Sequence, residues 1–194
     1  ALDYVKRTLN SADRMSKLIT DLLDYSRLSS NVAPENTNLN EVLNEVISDF
    51  DYLIEQKQAT VEVKDLPVIS GIPSQLRQVF QNLLGNSLKF SKNEVPPVIE
   101  VSAEIIEEKE FDAAVLASGN YCRIIVKDNG IGFDENYLDK IFMIFQSLND
   151  RNAYDGTGIG LAIAKKIIEK HNGLITAKSR VGDGSSFIIV LPLK

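Results

Sequence analysis

The chain has 194 residues, 44% of them hydrophobic and 25% charged, the composition of a globular protein with room for a sizeable core. A formal net charge of -6 argues against nucleic acid or an anionic membrane as the main partner. The single cysteine, Cys122, cannot form an internal disulfide and fits a reducing, cytoplasmic compartment. No apolar run approaches membrane-spanning length, so no membrane contact by this stretch is expected. The chain opens on Ala1 rather than methionine, which reads as a segment of something longer, from a parent that is soluble or membrane-attached.

Residues 1 to 30 read as one helix: Leu2, Val5, Leu9 and Ala12 recur at helical steps, and Met15, Leu18, Ile19, Leu22, Leu23 and Tyr25 widen the stripe. No glycine or proline interrupts it. A lone amphipathic helix is marginal in water, so this one is expected to pair as a bundle or coiled-coil helix. The alternative is that it lies back on the rest of the domain. Asn31 to Thr37, with Pro34, reads as a linker. From Asn38, a capping residue with Glu41 three positions on, a second helix presents Leu39, Val42, Leu43, Val46, Ile47, Phe50 and Leu53. It is expected to end before Ala59, where TVEV alternates as a strand and a short apolar run at Val68 and Ile69 follows.

Pro73 suits the first turn of a third helix reaching about Phe90, with Leu76, Val79, Phe80, Leu83 and Leu84 on its apolar face. Gln78, Asn82, Asn86 and Lys89 fall on a separate stripe. Asparagine is a poor helix-interior residue, so the two here are either part of a solvated face or ligands. Read as ligands, their amide oxygens suit a hydrated magnesium ion, and the lysine one turn on suits a phosphate.

Strands are expected over 98–106 and 121–127, joined by a long hairpin connection. DNGIG at 128–132 closes the second strand, IFMIF follows at 141–145, and after a polar span GTGIGLA stands at 156–162. Glycines let backbone approach a ligand closely, and a helix opening just after them offers unpaired amides to an anion. Together they suggest a phosphate-bearing ligand under a lid, although Asn129-Gly130 could be a simple hairpin turn. The second run lacks the lysine and hydroxyl of a P-loop, and Gly156, Gly158 and Gly160 have the wrong spacing for a dinucleotide fingerprint. A helix from Leu161 and a final hairpin of 174–178 with 186–191, turning at 182–184, complete the chain. Strands in succession with three amphipathic helices imply a sheet with helices on one face.

QVFQNLLGNSLKFS at 78–91 resembles the asparagine box, DNGIG the first glycine box, IFMIF the phenylalanine box and GTGIGLA the second glycine box of the sensor histidine kinases. These four elements stand in the family's order, and GSSFIIVLP at 184–192 is similar to its last strand. The resemblance is to the ATP-binding catalytic domain, in the wider group that includes gyrase, a heat-shock chaperone and mismatch-repair ATPases. It implies an α+β fold, a two-layer α/β sandwich of the Bergerat type, with a mixed sheet and three main helices on one face. RMSKLITDLLDYSRL at 14–28 resembles the second helix of the dimerisation and phosphotransfer domain. The implied division is therefore 1–30 for that helix, 31–37 for a linker and 38–194 for the catalytic domain.

ATP and Mg²⁺ are the implied cofactors. Asp128 matches the carboxylate that accepts from the adenine amine, with Gly130 and Gly132 leaving room for the base and Ser185 a hydroxyl near it. Asn86 matches the principal magnesium ligand, Asn82 a supporting one, and Lys89 a phosphate contact. The lid end that faces the phosphates would be Gly156, Thr157, Gly158, Ile159, Gly160 and Leu161. Related ATPases carry a glutamate at the position of Asn82, and an amide cannot act as the general base of hydrolysis. The resemblance therefore implies transfer of the γ-phosphoryl to a histidine, and from there to the receiver domain of a response regulator, by a homodimer joined through the N-terminal helix.

That acceptor helix is missing, since the single histidine, His171, lies before Asn172-Gly173 at a helix end and reads as a structural cap. The chain alone is thus expected to form no phosphohistidine. Where many relatives have an arginine after the phenylalanine box stands Ser147, with Arg151 as the available substitute. The alternatives are a degenerate nucleotide-binding regulatory module, or an ATPase of the same fold.

Overall fold

The structure, a computed structural model, describes residues 2–27, 32–108, 118–146 and 157–193. Helix α1, Leu2–Arg27, is continuous, as its freedom from glycine and proline predicts. Strand β1, Glu35–Asn38, occupies part of the stretch that reads as a linker: it pairs antiparallel with β3, Val68–Gly71, an association invisible to local pattern.

Asn38 caps α2, Leu39–Asp49, accepting from the Asn40 amide at 3.0 Å while its own side-chain amide donates to Glu41 at 3.0 Å. The expected single helix is broken at Phe50, and α3, Asp51–Lys57, continues after it. The break lets the Phe50 ring lie over Gly85, where an added Cβ would come within 3.3 Å of it. Strand β2, Thr60–Val63, precedes β3, and α4, Pro73–Lys89, starts with proline in its first turn.

Strands β4, Val98–Glu108, and β5, Ser118–Asp128, are longer than the alternation predicted, because each pairs with the other beyond the apolar runs. The middle of the expected connection lies outside the described residues. A short 3-10 turn at Glu135–Tyr137 and α5, Leu138–Ile141, follow. The chain closes with α6, Gly160–Lys170, β6, Leu174–Arg180, and β7, Gly184–Pro192.

The main sheet has the order β2-β4-β5-β7-β6, with β2 parallel to β4 and the other pairs antiparallel. Helices α2, α4 and α6 pack on it. Leu39, Leu43, Phe80, Leu83, Leu84, Ile163 and Ile167 from these helices meet Ile99, Val101, Ile124, Val126 and Ile189 from the strands in one core. Full burial of such side chains contributes about 1.5–3 kcal/mol each, which is why the 3.6-residue stripes align on a common sheet. Cys122 lies in that core, and burial pushes its thiol up to about 11.

His171 joins two helices. Its Nδ1 donates to the Ile167 carbonyl at 2.8 Å, and its Nε2 accepts from the Ile72 amide at 3.0 Å, just ahead of α4. Both ring nitrogens are engaged only in the neutral ring. Burial lowers its pKa from the usual 6.5, opposed by the bond to Ile167 and reinforced by the charge of Lys170. The expected structural role is what the geometry shows.

Helix α1 exposes most of its stripe: Val5, Leu9, Met15, Ile19, Leu22 and Leu23 all face outward. Among its described apolar side chains, only Leu18 and Tyr25 pack against the core. That face touches α6 through Lys166, and among the described residues no second helix covers the exposed stripe. Nor is any described helix long and apolar enough to cross a membrane.

Candidate nucleotide site

A cavity of about 430 Å³ opens between α4, the start of α6 and the ends of β5 and β7. One end is built around Asp128, the last residue of β5, which is only 8% exposed. Its Oδ1 accepts from the Gly130 amide at 2.9 Å and the Ser185 amide at 3.2 Å, and its Oδ2 accepts from the Ser87 hydroxyl at 3.2 Å. Burial pushes its carboxyl up from 3.8, and the amides of Gly130 and Ser185, the Ser87 hydroxyl and the charge of Lys92 pull it partly back. The result is an oriented acceptor at the floor of the cavity, with its rotamer held from three sides.

Glycine is required beside it. Gly132 has a φ of 64°, and a Cβ there would stand 2.0 Å from the Arg180 carbonyl oxygen. Gly132 lines the cavity, whereas Gly130 does not: it stands behind Asp128, against the Phe90 carbonyl, and holds the carboxylate through its amide. Ser185 lines the cavity and supplies that second amide, so its backbone does more to place Asp128 than its hydroxyl, which pairs with Ser179 at 3.0 Å.

The side wall is α4. Helical spacing of four, four and three brings Gln78, Asn82, Asn86 and Lys89 to one face, and all four line the cavity. The Oδ1 of Asn82 faces Gly160 closely enough that a Cβ there would lie 2.7 Å from it, while its Nδ2 is buried with no hydrogen-bond partner. A buried amide donor without a partner is a cost that a bound polar ligand removes. The unpaired donor fits an acceptor-bearing ligand such as a phosphate, and the side-chain oxygens of Asn82 and Asn86 are the groups that would hold a metal ion beside it.

The second glycine run supplies the far end. Thr157, Gly158, Gly160 and Leu161 line the cavity, and Gly160 opens α6, so unpaired amides of the first turn are directed there. Ile159 differs: its side chain is fully buried in the core, and the residue does not line the cavity. The Phe145 amide donates to the Gly158 carbonyl at 3.0 Å, tying the phenylalanine box to the glycine run. Gly156, Arg151 and Ser147 lie outside the described residues.

Several site residues escape the sequence reading. Ser87 follows Asn86 and had no pattern to mark it. Phe50 reaches the cavity only through the break after α2. Asp21, on the N-terminal helix, also lines the cavity and accepts from the Thr157 hydroxyl at 2.5 Å. Its acidic side chain at a helix surface carries no signal of its own.

Comparison with known proteins places this architecture. Residues 71–194 match the profile of the family described as histidine kinase-, DNA gyrase B-, and HSP90-like ATPase. Among curated proteins, the chain is 37% identical over its whole length to the phytochrome-like protein Cph1 of Synechocystis sp., and spans 24% of that protein. It is 32% identical over 198 aligned residues to the sensor protein kinase WalK of Staphylococcus haemolyticus, covering 99% of this chain and 31% of WalK. Thus it spans about a quarter to a third of the curated relatives it matches. Among solved structures, full-length ShkA in complex with AMPPNP aligns with a TM-score of 0.75 at 23% identity, over 98% of this chain and 38% of ShkA. The catalytic domain of histidine kinase ThkA aligns with a TM-score of 0.66 at 25% identity, over 84% of this chain and 97% of that domain. With the four boxes converging on one cavity in a mixed α+β sandwich, the chain belongs to the family of histidine kinase-, DNA gyrase B-, and HSP90-like ATPases, as a catalytic ATP-binding domain of the histidine-kinase kind.

Proposed function

We propose that this chain is the kinase region of a two-component sensor, which binds ATP with Mg²⁺ and passes the γ-phosphoryl group to a histidine on a helix outside this sequence. The observation that carries the reading is the pairing of a buried, oriented carboxylate, Asp128, with an amide, Asn82, on the wall leading to the opening of α6. Asp128 accepts from the adenine amine; guanine presents a carbonyl at that edge and would meet the carboxylate with repulsion. Gly132 leaves space for the base and Ser185 fixes the acceptor. Asn86, supported by Asn82, would hold Mg²⁺, which supplies charge neutralisation at the phosphates. Lys89 and the amides at Thr157 to Leu161, with Gly156, bind and orient the phosphate chain, and Arg151 is the cation for its terminal group.

Hydrolysis is disfavoured because no carboxylate stands at position 82 to take a proton from water. In the transfer itself, the bond between the γ-phosphorus and the bridging oxygen breaks, a phosphorus–nitrogen bond forms at the neutral imidazole, and ADP leaves. The phosphoryl group then goes to an aspartate in the receiver domain of a response regulator. ThkA has been seen with the response regulator protein TrrA, and its fold at a TM-score of 0.72 is similar to this one, which supports a partner of that class.

Residues 1–30 are the second helix of a dimerisation and phosphotransfer domain, 31–37 the connection to it, and 38–194 the catalytic domain. Its exposed stripe, with Ile19 61% exposed, is the face for a bundle or coiled coil in a homodimer of the full-length parent. A cytoplasmic location follows from the substrate. Calorimetric titration with a non-hydrolysable ATP analogue, with and without Mg²⁺, followed by transfer to a separately supplied domain carrying the acceptor histidine, tests the reading. Magnesium-assisted binding and an acid-labile adduct on the supplied domain are expected. Binding without any transfer would favour the regulatory-module reading, and steady phosphate release the ATPase.

A further inference from the structure

Leu18, Asp21 and Tyr25 are spaced three and four residues apart, which places them on one face of α1. That face is applied to the catalytic domain. Leu18 and Tyr25 pack against its core, and the Nζ of Lys166 on α6 donates to the Tyr25 carbonyl at 2.9 Å and lies 3.9 Å from the centre of its ring. Between these contacts the carboxylate of Asp21 takes the Thr157 hydroxyl at 2.5 Å and forms part of the cavity wall.

Thr157 stands one residue before Gly158 and three before Gly160, the first residue of α6. The positive end of a helix dipole attracts anions, and here a carboxylate already holds the Thr157 hydroxyl just ahead of that end. With the base at the Asp128 end, as the nucleotide reading has it, the last phosphate rather than the first would be the one to approach Asp21, which lines the same cavity. Like charges repel more strongly in a partly buried site than in water.

Resting on the nucleotide reading above, we infer that Asp21 is a specificity-determining residue: with α1 docked, it makes the cavity favour a nucleoside diphosphate over the triphosphate. Triphosphate binding and helix docking then oppose each other, because the third phosphate and the Asp21 carboxylate compete for Thr157 and the α6 amides. The docked helix belongs to the state that holds product, and substrate binding releases it.

The test is calorimetric titration of the full chain with ADP and with a non-hydrolysable ATP analogue, both with Mg²⁺, for the parent, Asp21→Asn and Lys166→Met. Asp21→Asn is expected to tighten the triphosphate analogue about tenfold, equal to about 1.4 kcal/mol, and to change ADP by less than about twofold. Lys166→Met, which loosens the helix without touching the cavity, should shift the same ratio in the same direction. Equal changes for both nucleotides, or weaker analogue binding in Asp21→Asn, would overturn the proposal; the latter would mean that Asp21 helps hold the cation. A Lys166→Met chain with the parent's ratio would overturn the part played by docking. Failure of either nucleotide to bind any of the three chains would instead refute the ATP-binding reading itself.

Discussion

Asp128→Asn separates the binding role of this carboxylate from its place in the fold. The Oδ1 of Asp128 accepts two backbone amides, Gly130 at 2.9 Å and Ser185 at 3.2 Å, so an asparagine side chain would put its oxygen there. Its NH₂ would then occupy the place of Oδ2 and donate to Ser87, whose hydroxyl can turn from donor to acceptor. The fold keeps its bonds, and relief from burying a carboxylate offsets some of the lost charge-assisted strength. The melting temperature should therefore move by no more than about 4 °C, the shift that about 1 kcal/mol causes in a chain of this size. Towards the ligand the change is different in kind. An acceptor becomes a donor facing an amine, which removes a hydrogen bond to a charged group worth about 1.5–3 kcal/mol. That is about a 10- to 150-fold loss in affinity for the ATP analogue. Titration calorimetry and thermal unfolding on the same preparations measure both quantities. Unchanged affinity would refute the role of Asp128, and lost affinity accompanied by a collapse in melting temperature would make it a structural residue instead.

Asn86→Ala should abolish most of the magnesium-dependent gain in analogue affinity, about tenfold, while leaving metal-free binding near the parent value; titration with and without Mg²⁺ reads this directly. Gly132→Ala should destabilise the chain by about 3 kcal/mol or more in urea unfolding, because the new methyl would sit 2.0 Å from the Arg180 carbonyl at a φ of 64°. His171→Ala should cost about 2–4 kcal/mol, since it strands the Ile72 amide and leaves a void between α6 and the start of α4. The pH dependence has a definite sign. His171 has a lowered pKa in the fold, so the unfolded chain binds the proton first. Its contribution is complete above the unfolded value of 6.5 and is lost as the pH falls from there towards the folded value. Denaturation midpoints between pH 7.5 and 5.5 should therefore fall in the parent and flatten in His171→Ala, and equal slopes would refute the assignment.

The stripes of α2, α4 and α6, the cap at Asn38 and the proline opening α4 were legible in the sequence because each rests on neighbours within a turn or two. The glycine and asparagine boxes were legible for a related reason, since their chemistry depends on residue types at fixed short spacing. Chain-local patterns also set limits. Phe50 fits the apolar face of one continuous helix, yet the helix breaks there and the ring covers Gly85, a choice made by a contact 35 positions away. β1 had only a proline and polar residues to mark it, and exists because β3 offers it a partner.

What the sequence determined alone was therefore which groups are available: an acceptor, two amides, a lysine and two glycine loops, each already in its local conformation. The tertiary structure decided which of them meet. Ser87 reaches Asp128 across 41 residues, His171 reaches Ile72 across 99 and Asp21 reaches Thr157 across 136. Such contacts form only when distant apolar stripes pack on a common sheet, and hydrogen-bond partners that far apart leave no periodicity in the chain to read.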